Sequence, residues 1–162
     1  MKQNILIPIL MLISMIGISS CDRDYMHYDV NLKDGVYFTT DSVNYQFGMR
    51  NGEDFNYAIP VRILGSPKDY DRKFGIELVE EETTAKTGLH YELIDTFVVP
   101  ANMIVGKVSF ILHRYLDPEM TKKTFTVKMR LVENENFRLV MGNECKFEFS
   151  DTELPRPRWW SD

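Results

Sequence analysis

Along most of the chain the apolar residues recur at every second position, the period of a strand with one face in a core and the other in water. The clearest run is FNYAIPVRIL, where Phe55, Tyr57, Ile59, Val61 and Ile63 point one way and Asn56, Ala58, Pro60 and Arg62 the other. The same period returns three times downstream. Phe74, Ile76 and Leu78 alternate with Gly75 and Glu77; Val108, Phe110 and Leu112 alternate with Lys107, Ser109, Ile111 and His113. Phe125, Val127, Met129 and Leu131 alternate with Thr124, Thr126, Lys128 and Arg130. GVYF at 35–38 and NYQFG at 44–48 add shorter strands, and in CKFEFS the residues Cys145, Phe147 and Phe149 share one face. Stretches such as GSPKDYD, LDPEM and ENEN supply turns, and DPEMTKK at 117–123 is long enough for one helical turn at most. Pro60 cannot donate a ladder hydrogen bond, which predicts an edge position or a bulge for its strand. Roughly seven or eight short strands, about a dozen residues apart, predict an all-β fold: an antiparallel immunoglobulin-like sandwich. An outer-membrane barrel would need strands of about ten residues and repeated aromatic girdles.

The N-terminus follows a different pattern. Ile5 to Ile18 is apolar apart from Ser14 and is preceded by the cationic Lys2. As a helix this run would reach about 20 Å, short of the ~30 Å hydrocarbon core of a bilayer, so it reads as the apolar region of a signal peptide. Ile18-Ser19-Ser20-Cys21 resembles a bacterial lipobox, and by that resemblance Cys21 becomes the mature N-terminus and carries the acyl chains. The other reading is an ordinary secretory signal with Cys21 merely nearby. One acyl chain, at about 0.8 kcal/mol per buried methylene, holds a protein only marginally, whereas several give stable anchoring. The expected organisation is a lipoprotein signal peptide at 1–20, a polar tether at 21–34, the β-sandwich domain at 35–154 and a Pro/Trp-containing tail at 155–162. With Cys21 acylated, Cys145 has no disulfide partner, and its place beside Phe147 and Phe149 predicts a small buried hydrophobe.

Composition narrows the function. At 44% hydrophobic residues, a chain of 162 residues can bury the core of one domain. The formal net charge is -5; without residues 1–20, which hold Lys2 and no acid, 18 basic residues face 24 acidic ones. An acidic balance with no basic cluster argues against nucleic acid as a partner.

Two stretches are more specific than a generic strand pattern. Thr84-Ala85-Lys86-Thr87-Gly88-Leu89-His90-Tyr91, followed by Val99-Pro100-Ala101, resembles the T-A-x-x-G-x-D-Y and P-A-G signature of calx-beta domains. Gly88 permits a tight or left-handed turn there, and the Tyr91 ring can plug the end of the sandwich. Together with the lipobox, the chain resembles an uncharacterised family of Bacteroidota lipoproteins, a domain of unknown function with a calx-beta-like module over most of residues 34–155. The resemblance implies an outer-membrane lipid anchor and an association with SusC and SusD type nutrient-uptake machinery. It also implies that a C-terminal portion follows LPRPRWW in related chains. Asp22 and Asp24, interrupted by Arg23, are weakly similar to the surface-export signals of this bacterial group, which leaves the periplasmic and cell-surface faces both open.

The candidate chemistry is sparse. Some calx-beta domains bind calcium through acidic loops, and here the acids are Asp69, Asp71, Glu80, Glu81, Glu82, Asp151 and Glu153. Lys73 breaks the spacing of an EF-hand loop in DYDRKF, and His90 stands where the signature has aspartate, so these loops are expected to be solvated and metal-free. His27, His90 and His113 lack zinc-ligand spacing with one another or with Cys145, no G-x-S-x-G elbow accompanies a serine, and no cofactor motif occurs. The sequence therefore predicts no enzyme. Trp159, Trp160, Tyr70, Tyr115 and Tyr91 are aromatics that could stack on sugar rings. Of these, Trp159 and Trp160 are the ligand-binding candidates, with docking of the tail onto the domain as the alternative. The expected function is that of a lipid-anchored accessory binding or scaffolding module beside a glycan transporter, the alternative being a structural or adhesive surface protein.

Overall fold

The computed structural model describes residues 32–48 and 51–152. The chain divides into two units, Met1–Asn31 and Leu32–Asp162, and all described residues belong to the second. Its described residues form eleven strands: β1 (Asp34–Phe38), β2 (Ser42–Gln46), β3 (Asp54–Leu64), β4 (Arg72–Lys73), β5 (Gly75–Leu78), β6 (Tyr91–Ile94), β7 (Val98–Val99), β8 (Val105–His113), β9 (Phe125–Val132), β10 (Phe137–Leu139) and β11 (Glu144–Ser150). Among the described residues helix is confined to two short 3-10 turns, Glu80–Glu82 and Pro118–Thr121. Asp117 caps the second by accepting the Glu119 N–H, and Pro118 opens it where a missing N–H costs nothing. Among the described residues no helix is long and apolar enough to cross a membrane.

The strands build a β-sandwich. One sheet has five strands in the order β10-β1-β3-β8-β6 and the other has four in the order β2-β11-β9-β5, with β4 and β7 forming a separate two-residue ladder. Pairing is antiparallel except at two edges, where β10 runs parallel to β1 and β2 parallel to β11. The alternation described above carries through: Ile59, Val61, Ile63, Val108, Phe110, Leu112, Val127, Met129, Leu131, Phe147 and Phe149 all point into the core and are buried. Aromatic rings join the two sheets. Tyr57 of β3 stacks on Phe147 of β11 at 5.0 Å between centroids, and Phe110 of β8 meets the same ring at 5.1 Å. Tyr45 and Phe47 close one side against Tyr57 and Phe55. Each such pair contributes about 0.5–1.5 kcal/mol beyond the area it buries.

Pro60 corrects one expectation. Its strand β3 lies inside the five-stranded sheet, paired with β8 along Asp54 to Arg62, and carries neither an edge position for its whole length nor a bulge. The proline is tolerated because β1 is short. The Ile63 N–H donates to Ile104 on the β8 side, so by alternation residues 62, 60, 58 and 56 direct their backbone groups to the other side. There β1 pairs only with Val61 to Leu64. Pro60 is thus the first residue past the end of β1, and its missing N–H faces no ladder among the described residues.

Candidate ligand surface

The stretch from Thr84 to Tyr91 is structural. Gly88 adopts φ 76°, the left-handed conformation the turn requires, and its N–H donates to the Tyr91 carbonyl. Tyr91 is 1% exposed and packs edge-on against Phe110 at 5.9 Å, which removes it from the aromatics that could meet a sugar. His90, also 1% exposed, is wedged between two elements. Its Nδ1 accepts the Lys86 N–H at 2.8 Å, which leaves Nε2 as the protonated nitrogen, facing Asp117 Oδ2 at 2.8 Å. The Asp117 carboxyl is held below the ordinary carboxylate range, first by this bond and then by the Glu119 N–H. The histidine in the aspartate position of the signature therefore fastens the 84–90 loop to the Pro118–Thr121 turn.

The loop acids are dispersed. Asp71 accepts the Ala101 N–H, Asp151 forms a two-pronged pair with Arg114 at 2.7 and 2.9 Å, and Asp69 and Glu80 to Glu82 are exposed. Among the described residues no group of three or more His, Cys, Asp or Glu lies close enough to hold a metal ion. Cys145 is a free, fully buried thiol, and desolvation pushes its pKa up to about 11, so it is an inert packing group. Tyr70 and Tyr115 are exposed, and Arg114 lies over the Tyr115 ring at 5.2 Å. Cys21, Trp159, Trp160, His27 and Glu153 lie outside the described residues, as do the proposed signal peptide and tail.

The outer faces of the two sheets differ in a way the sequence did not reveal. On the four-stranded sheet the charges are committed to one another: Glu144 binds Lys128 at 2.9 Å and Arg130 at 2.8 Å, and Lys146 binds Glu148 at 2.6 Å. These bonds lower the pKa of Glu144 and raise those of Lys128 and Arg130. The five-stranded sheet has a recess of about 250 Å³ lined by Asn56, Tyr57, Ala58, Ile94, Lys107, Ser109 and Phe110. Register explains it. Ala58 faces Ser109 across β3 and β8, and Ser109 faces Ile94 across β8 and β6, so two small side chains sit between larger neighbours. The volume falls below the ~300–1,000 Å³ usual for a whole drug-sized ligand and suits one unit of a longer one. The side chains of Asn56, Ser109 and Lys107 bond to no other described residue, while the acids of this face, Asp54 and Glu92, engage His113 at 2.7 and 3.9 Å. The outward alternation of Asn56, Ala58, Lys107 and Ser109 was legible in the sequence; which of them stand side by side depends on register and was not.

The fold and this surface define a small β-sandwich protein. Residues 20–162 match the family described as a domain of unknown function, DUF4843, and the chain belongs to that family. No curated protein matches the sequence. Among solved structures it is similar to a candidate carbohydrate-binding protein from Bacteroides ovatus ATCC 8483, with a TM-score of 0.53 and 13% identity over 74% of this chain. It is also similar to a protein of unknown function from Bacteroides ovatus, with a TM-score of 0.54 and 13% identity over 70% of this chain. The chain spans 37% and 43% of the lengths of these two proteins. Likeness at that identity concerns the fold.

Proposed function

We propose that this is a lipid-anchored outer-membrane protein whose immunoglobulin-like, calx-beta-like sandwich serves as a non-catalytic accessory module in glycan uptake. The observation that carries the glycan reading is the polar recess on the five-stranded sheet, whose Asn56, Lys107 and Ser109 side chains bond to no other described residue. The Bacteroides ovatus relative named for carbohydrate binding supports the same reading through its fold. The immunoglobulin-like assignment is supported by strand order. The eight strands of four or more residues divide as β1-β3-β8-β6 against β2-β11-β9-β5, which corresponds to ABED facing CFG with a split first strand. The anchor rests on the Cys21 lipobox, and the SusC and SusD type partners rest on the family resemblance. Trp159 and Trp160 are proposed as an additional stacking pair, Cys21 as the lipidation site.

The test is a binding screen of the mature chain against neutral and acidic glycans and peptides, with Trp159→Ala and Trp160→Ala as controls. Saturable glycan binding supports the reading. Peptide binding without any glycan binding would transfer weight to the adhesive alternative, which one observation favours: β3 from Asp54 to Pro60 has no pairing strand on its β1 side among the described residues, an edge on which an extended segment could add.

A further inference from the structure

Two neighbouring cations, one on β3 and one on β8, stand on the outer face of the five-stranded sheet without an ion-pair partner among the described residues. Lys107 lies opposite Pro60, and Arg62 lies opposite Val105. This makes the two cations diagonal neighbours, with Cβ atoms about 7–8 Å apart. Both side chains are exposed, and neither has a carboxylate within ion-pair distance among the described residues. That is unusual placement for a chain of net charge -5 whose other sheet neutralises its lysines and arginines in ion pairs on the surface. The recess begins beside Lys107: Ser109 is the next outward residue on β8, Asn56 sits diagonally across on β3, and Ala58 and Ile94 supply apolar walls.

We infer that this face binds an acidic polysaccharide, with one uronate unit seated in the recess. The inference rests on the glycan reading above and specifies its site and ligand class. The sugar's C–H face lies against Ala58 and Ile94, and Asn56 and Ser109 exchange hydrogen bonds with its hydroxyls. The carboxylate is met by Lys107, with Arg62 placed for the next unit of the chain. A shallow, open recess accommodates a chain running across the sheet, where an enclosed pocket would accept only its end. Because the cations are solvent-exposed, their contribution is screened by salt, so affinity should fall as ionic strength rises.

The test uses the full mature chain in detergent and titrates it calorimetrically with an oligogalacturonate and with the same oligosaccharide fully methyl-esterified, which removes charge and keeps the backbone. Expected are binding of the acid form at least tenfold tighter than of the ester, a tenfold or greater loss in Lys107→Ala, partial recovery in Lys107→Arg, and loss of binding in Ser109→Trp, which fills the recess. Lys107→Gln is a second charge-removing variant, and thermal unfolding of every variant verifies the fold. Equal affinity for acid and ester, or glycan binding unchanged by the recess variants, overturns this inference and leaves the glycan reading standing. No binding to any neutral or acidic glycan removes both.

Discussion

At the scale of single residues the domain is fastened by two polar contacts, one buried and one partly buried, that the sequence showed only as isolated letters. Arg72 is 2% exposed and Asp34 7%, with Nη1 and Oδ2 2.7 Å apart. The guanidinium also donates to the Met103 carbonyl at 3.0 Å and lies over the Phe137 ring at 5.5 Å. Asp34, expected at the end of the tether, is instead the first residue of β1, because a buried cation elsewhere in the chain needs it. Desolvating both charges makes the pair a poor source of net stability, but removing one partner strands the other. Asp34→Ala should therefore cost about 3–5 kcal/mol of unfolding free energy, measured by urea titration, and Asp34→Leu with Arg72→Met should recover most of it. A loss in the double variant equal to the sum of the losses in Asp34→Leu and Arg72→Met alone would show that the charges are not coupled. The His90 and Asp117 contact makes a separate prediction about pH. The Asp117 pKa is depressed below its ordinary 3.8, so its contribution is present above that pH and is lost as pH falls through the lower folded value. The stability difference between the native protein and Asp117→Asn should be largest near neutral pH and shrink below about pH 4. A difference constant from pH 7 to pH 2.5 would mean that the carboxylate's charge has no part in the contact.

At the scale of elements, alternation was readable wherever a strand has one face in the core, because the period depends only on the strand itself. Pairing was not readable, because it depends on where neighbouring strands stop. Pro60 illustrates the difference. From sequence, a proline in the longest strand indicates an edge; in the fold it is a central strand whose neighbour β1 ends at the residue opposite Val61. The same lack of register hid the recess, since Ala58, Ser109 and Ile94 are separated in sequence and become a row only through two pairings. The Gly88 turn was legible because local backbone chemistry dictates it. If Pro60 faces an open flank, Pro60→Val removes no packing and restores one outward N–H. Its unfolding free energy should stay within about 1 kcal/mol of the native value, while sedimentation velocity should show increased self-association through the exposed β3 edge. A large loss of stability with no change in association would place the proline in a packed environment and close that edge.

At the scale of the whole molecule, the sandwich and the family are established, and on the proposed reading the remaining question is how such a module is delivered to a ligand. An exposed recess on one sheet gains effective concentration when the domain is held at the membrane where glycan arrives, since tethering converts a second contact into a local encounter. β1 is held by β3 on one side and β10 on the other, so a pull from the N-terminal side of Asp34 is borne by a paired strand. This makes the anchor testable independently of the ligand. In a bacterial host with lipoprotein processing, the native chain should incorporate labelled palmitate and sediment with membranes. Cys21→Ser should lose the label and leave the membrane fraction while keeping the native thermal unfolding transition, because the substitution lies outside the unit Leu32–Asp162. A Cys21→Ser protein that still sediments with membranes and carries no acyl label would assign the attachment to the apolar run or to a protein partner. A native chain without label would return the N-terminus to an ordinary secretory signal.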